Sequence, residues 1–157
     1  MLKNLLSSIL LIYLHQGANA QPRESVKTST DVQMFTAPAA GFITTLALKD
    51  YKVNRGLISP GPTSIAVTYI LKYTIKKQRP DHSDTHSFPS NHTAISFQGA
   101  SFIAQRYGGK YSLPAYLISG YVGWGRIYSK RNDTADVIAG AAIGIGSALI
   151  CTRRLLK

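Results

Sequence analysis

Sixteen residues of this chain, Arg79 to Ala94, read RPDHSDTHSFPSNHTA and hold three of its four histidines. Lys72 lies seven residues before Arg79. A seven-residue step returns to nearly the same face of an α-helix, so both cations can face one anion. Pro89-Ser90-Asn91-His92 reads as a loop turning into a helix, where the first backbone N–H groups are unpaired at the positive end of the dipole. Ser90 adds a hydroxyl there, and His92 an imidazole that titrates near neutral pH. Further on, in GRIYSKRNDTAD, Arg126 stands six residues before Asn132, and Asp136 four after it. Each cluster alone has an ordinary explanation: a solvated basic face, a serine N-cap, a first-turn acid favoured by the helix dipole. Together they supply fixed cations, oriented donors and a proton carrier, which is what phosphate-ester chemistry needs.

The order and spacing, Lys-x6-Arg-Pro, then Pro-Ser-x-His, then Arg-x5-Asn-x3-Asp, resemble the superfamily of type 2 phosphatidic acid phosphatases, bacterial nonspecific acid phosphatases and vanadium haloperoxidases. The resemblance runs from about Leu57 to Ser147 and includes connecting residues such as DVIAGAAIG. It implies that Lys72, Arg79 and Arg126 cradle a phosphoryl group, and that Ser90 and the backbone N–H of Asn91 donate to its oxygens. His92 then protonates the leaving alcohol, and Asp136 matches the carboxylate that orients a nucleophilic histidine. No metal and no cofactor are implied. His82 and His86 match no catalytic position.

Three positions depart from the family pattern. Asn91 replaces a glycine whose role is its backbone N–H, and asparagine tolerates unusual backbone angles. Gly125 replaces a serine before Arg126. Asn132 occupies the place of the histidine that attacks phosphorus. An amide nitrogen delocalises its lone pair into the carbonyl and is no nucleophile, so phosphate binding is expected to persist while turnover is impaired. Asp133, one residue out of register, is a distant substitute. A non-catalytic module for phosphate or an anionic headgroup is the alternative. A vanadate-dependent haloperoxidase is disfavoured, because that chemistry binds vanadate through the same absent histidine.

These residues need elements to carry them. Apolar segments over Val32–Leu48, Thr63–Lys77, Pro89–Tyr107, Ser112–Tyr128 and Thr134–Arg153, and no sustained alternation, predict a single-domain, all-α bundle of about five helices. Asp31 is expected to N-cap the first, with residues 21–31 an extended polar lead-in. Gly108-Gly109 suits a left-handed helix end, Pro114 a first turn, and Gly140 with Gly144 a close helix contact.

Residues 1–20 have a basic start, an apolar run and an Ala-Asn-Ala ending, the pattern of a cleaved export signal, which predicts a periplasmic or secreted protein that begins near Gln21 and has its helical phosphatase-like domain over residues 32–157. Cys151 is the only cysteine, so no internal disulfide is available. A formal charge of +11 favours anionic partners. The dispersed basic residues and the absence of any nucleic-acid motif point away from DNA or RNA. The apolar segments Val32–Leu48, Gly56–Leu71 and Val137–Thr152 run 17, 16 and 16 residues without Asp, Glu, Lys or Arg, short of the roughly 20 that cross a bilayer. A soluble bundle is therefore expected, with a peripheral membrane contact left open and a phosphate ester or lipid phosphate as its partner.

Overall fold

The computed structural model describes residues 23–49 and 60–152. They form six helices and no strand: α1 Arg23–Gln33, α2 Thr36–Ala47, α3 Pro60–Ile75, α4 Asn91–Tyr107, α5 Gly109–Tyr128 and α6 Thr134–Cys151. The expected export signal lies outside the described residues.

The all-α bundle is as expected, with corrections to its elements. The polar lead-in is helical from Arg23, so Asp31 sits in the last turn of α1 and caps nothing. The single segment expected over Val32–Leu48 is broken by a turn at Met34–Phe35. The lead-in folds as α1 because Val26 and Thr30 bury one face against Gly125 of α5, an amphipathic docking that charge content concealed. α3 starts at Pro60, since proline needs no N–H in a first turn, and ends two residues before Lys77. α5 begins at Gly109, which places Pro114 inside the helix.

α4 is the central helix, packed against α2, α3, α5 and α6. Gly140 and Gly144 let α6 lie on it: a Cβ at Gly140 would stand 2.4 Å from the Ser90 carbonyl oxygen, and one at Gly144 2.3 Å from that of Ala94. Ser96 donates to Ser119 across α4 and α5, and Ser101 bonds Tyr116. Gly108, at φ 104°, turns the chain from α4 into α5.

The helices thus have two common ends. At one, Lys72 of α3, the start of α4, Arg126 of α5 and the start of α6 come together. At the other, Thr63 of α3 meets Cys151 of α6, and Thr45 of α2 meets Tyr107 of α4. The interior is rich in serine, threonine, glycine and alanine, with one small apolar cluster around Ala37, Ala100, Phe102 and Ile103. Many large apolar side chains point outward. Among the described residues one helix, α6, is long and apolar enough to cross a membrane.

Candidate active site

The site end is built around the start of α4. Ser90 caps that helix: its Oγ accepts from the N–H of Thr93 and from Thr93 Oγ1, and donates to Asn132 Oδ1 at 3.3 Å. Arg126 reaches the same Oδ1 from α5 through Nε, also at 3.3 Å. Asn132 Nδ2 donates to the Ser87 carbonyl at 2.6 Å. Ser90, Arg126 and Asn132 are all buried, so their orientation is held by hydrogen bonds and packing rather than by solvent.

Lys72 comes from the last turn of α3 and donates to the carbonyls of His86 and Pro89, at 2.7 and 2.8 Å. That ties it to the segment leading into α4 and uses two of its three N–H groups. Arg79 is clamped by Asp84 through Nε, at 2.7 Å, and by the Arg131 carbonyl through Nη1, at 2.8 Å. Lys72, Arg79 and Arg126 lie near enough to act on one another electrostatically. Like charges held together in a site of limited solvent access favour an anion between them.

Asp136 is fully buried, yet none of its hydrogen bonds goes to residue 132. It accepts from the Ser87 hydroxyl, from Lys77 Nζ at 2.8 Å and from the Asp133 N–H at 3.0 Å, closing a capping box with Asp133. The direct contact that the resemblance implied is therefore replaced by an indirect one. Ser87 is shared, its hydroxyl going to Asp136 and its carbonyl taking Asn132. Asn91 contributes no side-chain bond here, and its Oδ1 has no hydrogen-bond partner among the described residues.

Spacing gave no sign of three contributors. Asp31 Oδ1 accepts from Arg126 Nη1 at 2.7 Å and from His92 Nε2 at 2.8 Å, so a carboxylate of α1 holds both residues. Asp31 and Arg126 are 95 residues apart, and no local pattern links them. Lys77 neutralises both Asp133 and Asp136, and Ser87 joins Asp136 to Asn132. Of the loop histidines, His86 packs its ring edge-on against Tyr73. Among the described residues no cluster of His, Cys, Asp and Glu suits a metal ion.

The loop from Lys76 to Pro89 is pinned by ion pairs. Partial burial raises the Asp81 carboxyl, but Ser83 and Arg131 outweigh this and bring it down to about 2. Asp84 is held low in the same way by Arg79 and the His86 N–H, and Asp133 chiefly by its bond from Lys77. A carboxylate with a depressed folded pKa stabilises the fold above its unfolded value and loses that contribution as pH falls through the folded one. The thermal midpoint is therefore expected to drop between pH 3.8 and about 2, and Asp81→Asn to flatten part of that drop. Identical acid profiles for the two proteins would remove Asp81 from the account.

A model of the PAP2 superfamily matches residues 32–157. The chain belongs to the PAP2 superfamily. It is also similar to a Lipid A 1-phosphatase of Porphyromonas gingivalis, 38% identical over 77 residues, which cover 47% of this chain and 17% of that protein. The chain thus matches about a sixth of that relative's length. No solved structure matches it significantly. Within the superfamily match, residues 72 to 136 contain all the contacts of the site except those of Asp31, which lies one residue before the matched region.

Proposed function

We propose that this PAP2 chain binds a phosphomonoester or lipid phosphate at the joined starts of α4 and α6, and that its hydrolysis is impaired because Asn132 stands at the nucleophile position. The observation that carries this reading is the set of contacts on Asn132. The donors of Ser90 and Arg126 converge on its Oδ1, on the side that a phosphoryl group would approach. In this reading Arg126, Arg79 and Lys72 neutralise the phosphate, Ser90 and the N–H of Asn91 donate to its oxygens, and His92 protonates the leaving alcohol. Asp31 orients His92 and Arg126. Asp136 fixes residue 132 through Ser87. The similarity to a lipid A phosphatase supports a lipid-borne phosphate and an envelope location.

The second reading is a binding module without turnover. The same amide favours it, because Asn132 uses its carbonyl oxygen and its nitrogen as hydrogen-bonding groups and offers no lone pair for attack.

Binding is tested with inorganic phosphate. A ligand that binds only the folded state stabilises it by about 2.7 kcal/mol at a hundredfold excess over Kd, so phosphate is expected to raise the melting temperature. Arg79→Ala and Arg126→Ala should each abolish the rise. A rise that survives in both variants would place the anion elsewhere on this basic chain and remove the cradle.

A further inference from the structure

The aspartates at the site end differ in how they use their oxygens. Asp81 accepts from the Ser83 N–H and from Arg131, and Asp84 from the His86 N–H and from Arg79. Asp133 accepts from Lys77 and from the Asp136 N–H, and Asp136 from Lys77, Ser87 and the Asp133 N–H. Each of these four has both oxygens bonded within the protein. Asp31 is the exception. Its Oδ1 lies 2.7 Å from Arg126 Nη1 and 2.8 Å from His92 Nε2, while its Oδ2 has no hydrogen-bond partner among the described residues. The side chain is 42% exposed, and Oδ2 is open to a donor that arrives from outside.

A ligand at the cradle meets this oxygen. Arg126 and His92 are the groups assigned above to the phosphoryl charge and to the leaving oxygen, and Asp31 Oδ1 touches both, so an anion held by that pair lies against the carboxylate. It need not displace it, because a guanidinium carries more N–H donors than Arg126 gives to Asn132 and Asp31. The charged groups around the contact are Arg126 of α5 and His92 of α4, with Arg79 and Arg131 from the flanking loops and Lys72 of α3 beyond them. These cations by themselves favour whichever anion carries more charge. A fixed carboxylate works against that preference. It repels a bound anion unless the anion brings a proton, and then an O–H donor replaces the repulsion with a charge-assisted hydrogen bond.

We infer that Asp31 is a specificity-determining residue, which makes the site select oxyanions that carry a proton, such as inorganic phosphate or a singly protonated phosphomonoester, and reject fully ionised ones such as sulfate and sulfate esters. The inference rests on the phosphate-binding reading and adds to it the form of phosphate that is bound. A phosphomonoester loses its second proton near a pH of about 6, whereas sulfate has no proton to offer in that range. Both anions are tetrahedral and both suit a cradle of cations. Only the proton tells them apart.

The melting temperature of the full chain, at about pH 6 and constant ionic strength, is measured with phosphate, arsenate, sulfate or selenate. Phosphate and arsenate keep a proton under these conditions, while sulfate and selenate do not, although selenate is close to arsenate in size. Phosphate and arsenate are expected to stabilise the fold at concentrations roughly 10- to 100-fold lower than the other two, the range of one hydrogen bond to a charged group. In Asp31→Asn, which keeps the shape and removes the charge, the gap should close, chiefly through tighter binding of sulfate. Asp31→Ala is read in the same way where Asp31→Asn does not fold. Equal stabilisation of the parent by all four anions, or sorting by size, would overturn the inference and leave phosphate binding standing. An undiminished gap in the folded variant would overturn it too, since another group would then set the discrimination. No stabilisation by any anion would remove the cradle, and the inference with it.

Discussion

Asn132→His is expected to raise the hydrolysis of a generic phosphomonoester by about 10⁴- to 10⁶-fold, the range lost when a covalent nucleophile is removed. In barrier height this is roughly 5.5 to 8 kcal/mol. The geometry favours the gain. Asn132 Nδ2 donates to the Ser87 carbonyl at 2.6 Å, and an imidazole Nδ1–H at the same place can make the same bond. The Nε2 lone pair would then extend past the position of Oδ1, toward the donors of Ser90 and Arg126. Asp136→Asn added to this variant should remove most of the gain, because Ser87 would lose its anionic partner and residue 132 its fixed carbonyl. Arg126→Ala should remove it by taking away the charge facing the phosphoryl group. Rates are measured with several phosphoesters, alongside the phosphate-induced shift in melting temperature. A histidine variant that folds, binds phosphate and stays inert would end the phosphatase reading and leave the binding module.

The largest loss of stability is expected from Gly144→Val. Even a single added carbon would stand 2.3 Å from the Ala94 carbonyl oxygen and 2.9 Å from the Gln98 nitrogen, both backbone atoms of α4. Neither can rotate away, so α6 must shift as a body. Overpacking of this kind costs about 3 kcal/mol or more, which corresponds to a melting temperature lower by roughly 10 °C in a domain of this size. Gly120→Ala serves as the control. A Cβ there meets nothing within 4 Å, and replacing a helical glycine gains up to about 1 kcal/mol. Equal melting temperatures for Gly144→Val and the parent would show that α4 and α6 are not in the contact described. Gly140→Ala should harm the site more than the fold, since it presses on the Ser90 carbonyl and moves the cap of α4 away from Asn132.

Those two glycines also show how much could be read in advance. Four apart in an apolar run, Gly140 and Gly144 announced a close helix contact, and their partners, Ser90 and Ala94, are four apart, at the cap and in the first turn of α4. The motif residues were legible for a related reason: Lys72 with Arg79, Ser90 with His92, and Arg126 with Asn132 and Asp136 are each set by short spacings along the chain. Asp31 was not legible. It reads as an N-cap because acids before apolar runs usually are, and only the docking of α1 on α5 turns it toward Arg126 and His92. The hydrogen-bond partners of Asp136 were not legible on similar grounds. Spacing can say that it follows residue 132 by one helical turn, but not that Ser87, from another segment, stands between them.

By itself, then, the sequence determined the helical class, the family and the order of the charged and polar groups, because helix periodicity and motif spacing are local properties of the chain. Which partner each group holds, which carboxylate pairs with Arg126 and His92, and which side of each helix faces outward were decided only by the tertiary structure. Those outcomes depend on how close α1, α5 and α6 can come to one another and to α4, and that distance is set by contacts between residues far apart in the chain.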